Sequence, residues 1–502
     1  MQAIKIGWAR EDISTTKPVN INGQMYLRIS EGIHDPITVT ALVLEGSDPR
    51  EAAIFVSCDV TAITLPVQEL VQQKVAAADP SIPVDNILLN ATHTHSSSAI
   101  FPTAPKSPDG KDIYPGEQYR EFFTDKICLA VCRAWQTRQE GGIAYGYGYA
   151  VVGHSRRVIY SEDQGLANPA AVAPDGFGKM YGNTNKSAFS HYEAGADHTL
   201  NVMFTVDTAK KLTGMIINVP CPSQISEHFT KLSADYWNEV REAVAKEFGP
   251  DVYVLAQCAA AGDLAPRTLH YKDAQARRMG LKYGLHYDPA NAKMNTPDNY
   301  KKVMAERKDI AERIMLGIKD IHSWAMADIQ TDIPVHHTVS SLPLTRRIIT
   351  DEDKAWCEEN LKAMESLIPD PATATPEEYR IAMSRFQAVQ NRNKRALTHY
   401  EELKTDPTSR YDIHITQVGD IAFASSPFEL YQDFMHRIQA RSPFIQTFIT
   451  QLAGPSGGYL PTYRGVANKG YSASIFCNQV GPEGGQELVE YTLQQLCKLK
   501  EQ

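Results

Sequence analysis

The chain has 502 residues, of which 43% are hydrophobic and 22% charged, and it carries a formal net charge of -9. That length allows one large elaborated domain or two, with ample core. The acidic balance and the lack of any Lys/Arg-rich cluster exclude non-specific nucleic-acid binding, which needs a basic face. No apolar run approaches the roughly 18 residues that span a bilayer. The eight cysteines (58, 128, 132, 221, 258, 357, 477 and 497) have no disulfide-like spacing and suit a reducing compartment. Met1–Trp8 has no signal-peptide core. The expectation is therefore a cytoplasmic protein, or an exported one whose signal peptide has been removed.

The amino terminus reads directly into a first strand, followed by β-rich runs at Thr38–Glu45 and Ala53–Cys58. Pro66–Ala78 has helical spacing with Pro at its start. Asn86–Ala91 returns to strand, Gln118–Arg138 is helical, and Gly142–Val152 alternates like a strand. Thr199–Thr205, Leu212–Val219 and Val252–Gln257 continue the β series, with a helix at Ala234–Phe248. Between about 271 and 327, and again between 351 and 405, the chain is charged and helix-spaced; Thr375-Pro376-Glu377-Glu378 is a helix start. Strands resume at Ile413–Val418 and Ile421–Ala424, and the last helix is Gly484–Leu499. This alternation predicts an α/β (mixed α+β) fold.

Thr92-His93-Thr94-His95, at the end of the apolar run Ile87–Ala91, is the most informative stretch. Side chains two apart on a strand share a face, so both imidazoles are expected to project together, and neutral imidazole is a common zinc ligand. Further candidates also follow predicted strands, where α/β proteins gather their sites. They are Cys221-Pro222-Ser223, Gly262-Asp263 and Pro427-Phe428-Glu429, joined by the Gly- and Tyr-rich loop with Tyr459 and Tyr471. Taken singly, Cys221 is a small buried hydrophobe, Glu429 a helix-capping carboxylate, and the tyrosines loop braces.

Together, and in this order, these pieces resemble the amino-terminal catalytic domain of the neutral/alkaline, non-lysosomal ceramidase family. Gly32-Ile33-His34-Asp35, Ser155-Arg156-Arg157 and Gly262-Asp263-Leu264-Ala265-Pro266 add to the match, which spans most of residues 1–265 and 411–500. The resemblance implies a ceramidase-like catalytic domain over 1–502 with mixed sheets and flanking helices; as departures from the family, helical insertions are expected at about 271–327 and 351–405, and no C-terminal β-sandwich domain is expected. It implies a bacterial zinc-dependent amidase of lipid, specifically sphingolipid, metabolism. Its Zn2+ would be held by His93, Glu429, Tyr459 and a fourth donor, with His95, Arg156 and Tyr471 catalytic and Asp263 orienting a neighbour. Where the family has a second metal-binding His, counting fourteen residues back from Asp235 lands on Cys221. A thiolate suits zinc; His228 from the following loop is the alternative donor, and loss of the metal is the third.

The expected chemistry is hydrolysis of an N-acyl bond by a metal-activated water. The substrate is expected to be a small or lipid-like acylated molecule. The Ser96-Ser97-Ser98 run replaces the family's Gly/Pro-rich loop, so a polar acylated or glycosidic carbohydrate is the alternative substrate. An apolar cavity mouth favours lipid; a polar Tyr/Arg/Asn mouth favours the polar substrate. A metal-free binding protein of the same fold is the non-enzymatic alternative. The amidohydrolase barrel, which also uses H-x-H, needs eight regular βα units that this chain lacks.

Overall fold

The computed structural model describes residues 3–164, 176–288 and 297–501. Residues 289–296, part of the first expected helical insertion, lie outside the described residues, as do Met1 and Gln2 of the expected first strand. In chain order, the main elements begin with β1 (Lys5–Asp12), β2 (Thr38–Glu45), β3 (Ala53–Cys58), α1 (Leu65–Ala78), β4 (Ile87–Ala91), α2 (Gly116–Gln136) and β5 (Gln139–Tyr149). Next come β6 (Thr199–Asp207), β7 (Leu212–Val219), α3 (Tyr236–Phe248), β8 (Tyr253–Cys258), α4 (Lys272–Tyr283) and α5 (Pro297–Ala325). They are followed by β9 (Val335–Thr345), α6 (Asp351–Met364), α7 (Pro376–Glu402), β10 (Thr408–Val418) and β11 (Ile421–Ser425). The chain closes with α8 (Gln432–Gln439), β12 (Gln446–Thr450) and α9 (Pro482–Lys500).

Among the described residues, two mixed sheets dominate. One has eight strands in the order β8-β7-β6-β5-β1-β2-β3-β4, and the other four in the order β9-β10-β11-β12. Pairing is mainly antiparallel, but β3 with β4, β7 with β8 and β11 with β12 run parallel. The central strands are buried on both faces, as in β2, where all eight residues are buried. Their alternate side chains therefore serve different layers. Val39, Ala41 and Val43 pack with the apolar faces of α1, α2, α3 and α5, through residues such as Val71, Phe123, Trp237 and Ile314. Leu42, Leu44 and Phe55 point the other way and meet Val335, Val418, Phe423 and Phe448 of the smaller sheet. The rings of Phe55 and Phe423 lie 4.9 Å apart across that seam. The far face of the smaller sheet packs under α8 and α9 through Phe434, Ile438, Leu488 and Leu496. The result is a four-layer α/β/β/α sandwich, consistent with the mixed α/β class expected.

Strand β9 and helix α8 were not anticipated. Only the ends of β9 are deeply buried, so its pattern is not distinctive, and α8 is only eight residues long. Both charged stretches are helical where described. Capping boxes start α6, at Thr350 with Asp353, and α7, at Thr375 with Glu378. Helix α7 is tied to the body by Arg380, whose guanidinium meets Asp109 at 2.6 Å. No described helix is long and apolar enough to cross a membrane.

Helices α4 and α5 are joined by the fully buried carboxylate of Asp309, which accepts from Arg278 (2.6 and 2.7 Å) and Lys282 (2.7 Å). Burial pushes this carboxyl up, but the hydrogen bonds from Arg278 and Lys282, with the charge of Arg313, outweigh it and hold it at about 2. A depressed folded pKa contributes stability above the unfolded value, about 3.9, and loses it as pH falls towards the folded one. Asp309→Asn is expected to cost about 3 kcal/mol at pH 7 by leaving Arg278 without its carboxylate. In thermal melts it should also flatten the loss of stability between pH 4 and 2; an unchanged acid limb would show that the carboxylate is not load-sharing.

Candidate active site

The carboxyl ends of the three parallel strand pairs meet where the two sheets abut, the kind of place where α/β sheets collect ligands. Polar side chains in otherwise apolar strands make the joint. Asn90 Nδ2 donates to the Ala256 carbonyl at 3.0 Å between the two edge strands of the larger sheet, and Asn218 Nδ2 donates to the Ile449 carbonyl at 3.0 Å from the larger sheet to the smaller. Just beyond β12, the Gln451 amide oxygen accepts from the backbone N–H of both Ala261 (2.9 Å) and Leu430 (3.0 Å). Gly262 N–H donates to the Leu430 carbonyl at 2.8 Å. Here the chain must be glycine, since a Cβ at 262 would stand 2.3 Å from the Glu429 carbonyl oxygen. These contacts set the backbone that presents Glu429.

The T-H-T-H segment leaves β4 at Ala91, so its histidines are not on a strand as expected. His93 has φ 61°, a left-handed conformation uncommon for a non-glycine residue and typical of strained functional sites. That turn, rather than strand alternation, brings the two rings together with centroids 4.8 Å apart. His93 Nδ1 donates to the Thr61 carbonyl at 2.6 Å, which leaves its Nε2 with a lone pair. His93 Nε2 faces His95 Nε2 at 3.3 Å and Glu429 Oε2 at 3.4 Å. Close approach also requires glycine at 23, where φ is +107° and a Cβ would lie 2.5 Å from the His95 ring.

Glu429 is buried, which raises its pKa, but the neighbouring His93 and Arg156, with a hydrogen bond from Tyr459, more than offset this and lower it. The Tyr459 hydroxyl bonds to Glu429, and burial beside that carboxylate keeps the phenol well above its usual pKa. Arg156 is almost fully buried, with its Nη2 3.3 Å from the Tyr459 hydroxyl, 3.7 Å from Glu429 Oε2 and 2.9 Å from the Gly262 carbonyl. Burial disfavours its charge, yet Tyr459, Tyr181 and Glu429 overcome the penalty and raise its pKa. The Tyr471 ring lies 5.9 Å from that of Tyr459, and its hydroxyl accepts from Arg392 at 2.9 Å. His93, His95, Arg156, Glu429, Tyr459 and Tyr471 thus form one cluster. Arg157, next to Arg156, is structural: it pairs with buried Glu193 at 2.6 Å.

Three expected residues stand apart. The Cys221 thiol is fully buried, bonds to the Pro222 carbonyl at 3.5 Å, and makes no hydrogen bond with His93, Glu429 or Tyr459. Burial pushes its pKa well up, so the thiolate that zinc needs is disfavoured. Its backbone turns inward, with Cys221 N–H bonded to the Val219 carbonyl and Gln224 N–H to that of Pro222. That turn delivers Gln224 instead, whose amide nitrogen lies 2.8 Å from His95 Nε2. His228 faces Tyr26 at 3.2 Å and Glu227 at 3.8 Å, and burial with the charges of Arg267 and Arg28 lowers it to about 4. The Asp263 carboxylate holds Gln432 at 3.2 and 3.1 Å, while its carbonyl accepts from the Arg156 N–H at 3.1 Å; burial raises it to about 6. Its positioning effect therefore runs through its backbone. Thr61, Gln224, Arg392 and Gln451 carry no motif in the sequence; they take their roles from contacts made across the fold.

Among the described residues, no three His, Cys, Asp or Glu side chains are arranged to hold a metal ion. The cluster reaches three donors only through the Tyr459 phenol. Donors held about 2.0–2.2 Å from one tetrahedral zinc stand roughly 3.3–3.5 Å apart. The His93 to Glu429 separation of 3.4 Å meets that spacing, and a carbonyl on the far nitrogen of His93 is the usual outer support of a ligating imidazole. His93 and Glu429 thus have the spacing of two donors to one zinc, with the Tyr459 hydroxyl bonded to Glu429 beside them.

No family model and no curated protein matches the sequence. Among solved structures, neutral ceramidase from Pseudomonas aeruginosa matches over 100% of this chain and 75% of its own, with TM-score 0.68 at 17% identity. A ceramidase complexed with C2 matches over 100% of this chain and 76% of its own, with TM-score 0.65 at 15% identity. The chain therefore has the neutral ceramidase fold, and the resemblance read from the motifs holds at the level of architecture.

Gly262→Ala is expected to force the 262 and 429 backbones apart and to cost about 1–3 kcal/mol. The measurement is the thermal midpoint beside the wild type; an unchanged midpoint would mean that the close approach is not needed.

Proposed function

We propose that this chain is a hydrolase of amide bonds, acting on an N-acylated substrate through an activated water. The observation that carries the reading is the convergence of His93 Nε2, the Glu429 carboxylate and the Tyr459 hydroxyl beside the buried Arg156, on a scaffold shared with solved ceramidases. A zinc ion held by His93, Glu429 and Tyr459 would supply a bound water acidified towards neutral pH. The remaining steps belong to the chain's own side chains. Burial first, then the neighbouring His93 and the charges of Arg28 and Arg156, lowers His95 well below the usual range, so it stands neutral at pH 7. Neutral His95 takes a proton from the attacking water and passes one to the departing amine. The water oxygen bonds to the carbonyl carbon, the C–N bond breaks, and the products are a carboxylic acid and an amine. Arg156 faces the charge that develops on the carbonyl oxygen, and a guanidinium keeps its proton throughout. Tyr471, aimed by Arg392, supplies a second donor to that oxygen.

Elemental analysis of protein purified without added metal or chelator tests the ligand set. About one zinc per chain is expected in the wild type and in Cys221→Ala, and none in His93→Ala. Retained zinc in His93→Ala, or its loss in Cys221→Ala, would overturn the assignment. On a short-chain N-acyl substrate, Arg156→Met is expected to lower kcat about 10²–10³-fold with KM little changed. A rise in KM alone would make Arg156 a substrate-binding group only.

A further inference from the structure

A cavity of about 620 Å³ opens directly onto Glu429, Tyr459 and Tyr471, and α7 forms one of its walls. Beside Ala396, Thr398 and Glu402, α7 sends Arg392, Arg395 and His399 there, and Arg346 joins them from the end of β9. Arg346 is neutralised by Glu402 at 2.8 Å and Asp406 at 3.1 Å. Arg392 is half-buried, and its bonds go to neutral groups only, the Tyr471 hydroxyl at 2.9 Å and the Cys477 sulfur at 3.6 Å. Arg395, three residues further along the same helix face, makes no hydrogen bond or ion pair with the described residues and stands at the cavity rim. His399 Nε2 is buried against the same cavity without a partner. Two cations side by side with no carboxylate between them repel one another. Burial and the neighbouring Arg392 both disfavour the charge on Arg395.

A guanidinium is shaped to receive a carboxylate or phosphate through paired N–H donors, and one group of that kind would satisfy both arginines. A second cavity, about 820 Å³, lies behind Tyr181 and Glu227, lined by Arg267, Lys272, Arg278 and Arg313 together with the apolar Val151, Leu269 and Ile310.

We propose that the substrate of this site carries an anionic group, a carboxylate or a phosphate, which Arg395 and Arg392 receive while its acyl bond lies at Glu429 and Tyr459. The inference rests on the amide-hydrolase reading above. It makes Arg395 the specificity-determining residue and places the substrate among anionic N-acyl compounds.

Equilibrium binding to the full chain, measured calorimetrically, tests this without requiring turnover. The probes are N-acetylglycine against N-acetylglycinamide, and N-acetyl-O-phosphoethanolamine against N-acetylethanolamine. At least one anionic probe is expected to bind about tenfold more tightly than its neutral counterpart. Arg395→Gln should abolish that preference while leaving the thermal midpoint and the binding of the neutral probes unchanged. The preferred probe distinguishes carboxylate from phosphate. No anionic preference in the wild type, or an undiminished one in Arg395→Gln, overturns the proposal. Failure to hydrolyse a bound anionic probe would count against the amide-hydrolase reading and leave the anion site standing.

Discussion

The cluster depends on how closely two strand-end segments approach each other at the seam between the sheets. One follows β8, at Ala261-Gly262, and the other follows β11, at Glu429-Leu430. Gln451 clamps both backbones with a single amide oxygen, and Gly262 leaves no side chain between them. Two backbone N–H groups at such depth must be satisfied, since an orphaned buried donor costs about 1–3 kcal/mol. The clamp meets that need and also fixes the carbonyl of Gly262, on which Arg156 rests. Glu429 and Arg156 are thus located by backbone, and the ion pair between them follows.

Electrostatics builds outward from that joint. Arg156 is a permanent charge in a buried place, and its presence helps to keep Glu429 ionised and His95 neutral. The two histidines diverge in role because their surroundings differ. His93 gives its Nδ1 proton to a backbone carbonyl and is left with a free Nε2, whereas His95 sits between Gln224 and Glu227. Separating a fixed lone pair from a mobile proton carrier is the general pattern by which one site assigns distinct tasks to like groups.

The segment holding Gln224 is itself braced from a distance. Asp35, of the Gly32-Ile33-His34-Asp35 stretch, accepts from Ser233 at 2.7 Å and from the Ala234 N–H at 2.7 Å, and Arg307 of α5 pairs with it at 2.8 Å. Asp235 caps α3 while accepting from the Ser226 N–H at 2.6 Å. Ser96 and Thr94 stitch the T-H-T-H segment to the same loop, at 3.0 and 2.8 Å. Charged helices that read in the sequence as insertions therefore reach the site from two sides. Helix α5 does so through Asp35, and α7 through Arg392 on Tyr471.

Much of this was legible along the chain, because it is local. Apolar runs such as Ile87–Ala91 declare buried strands, Thr375 with Glu378 declares a helix start, and H-x-H declares a functional strand end whatever surrounds it. The order of the motifs was enough to indicate the fold. What lay beyond reach depended on direction and on partners distant in sequence. Counting residues located Cys221 but not the turn that points its thiol into the core and brings Gln224 forward. Thr61, Gln451 and Arg392 are ordinary residues until packing sets each against a group 32, 190 or 79 positions away. A sequence determines which side chains are available and which local shapes they favour. Only the tertiary structure decides which of them share a volume, because burial, charge and hydrogen-bond geometry act through space.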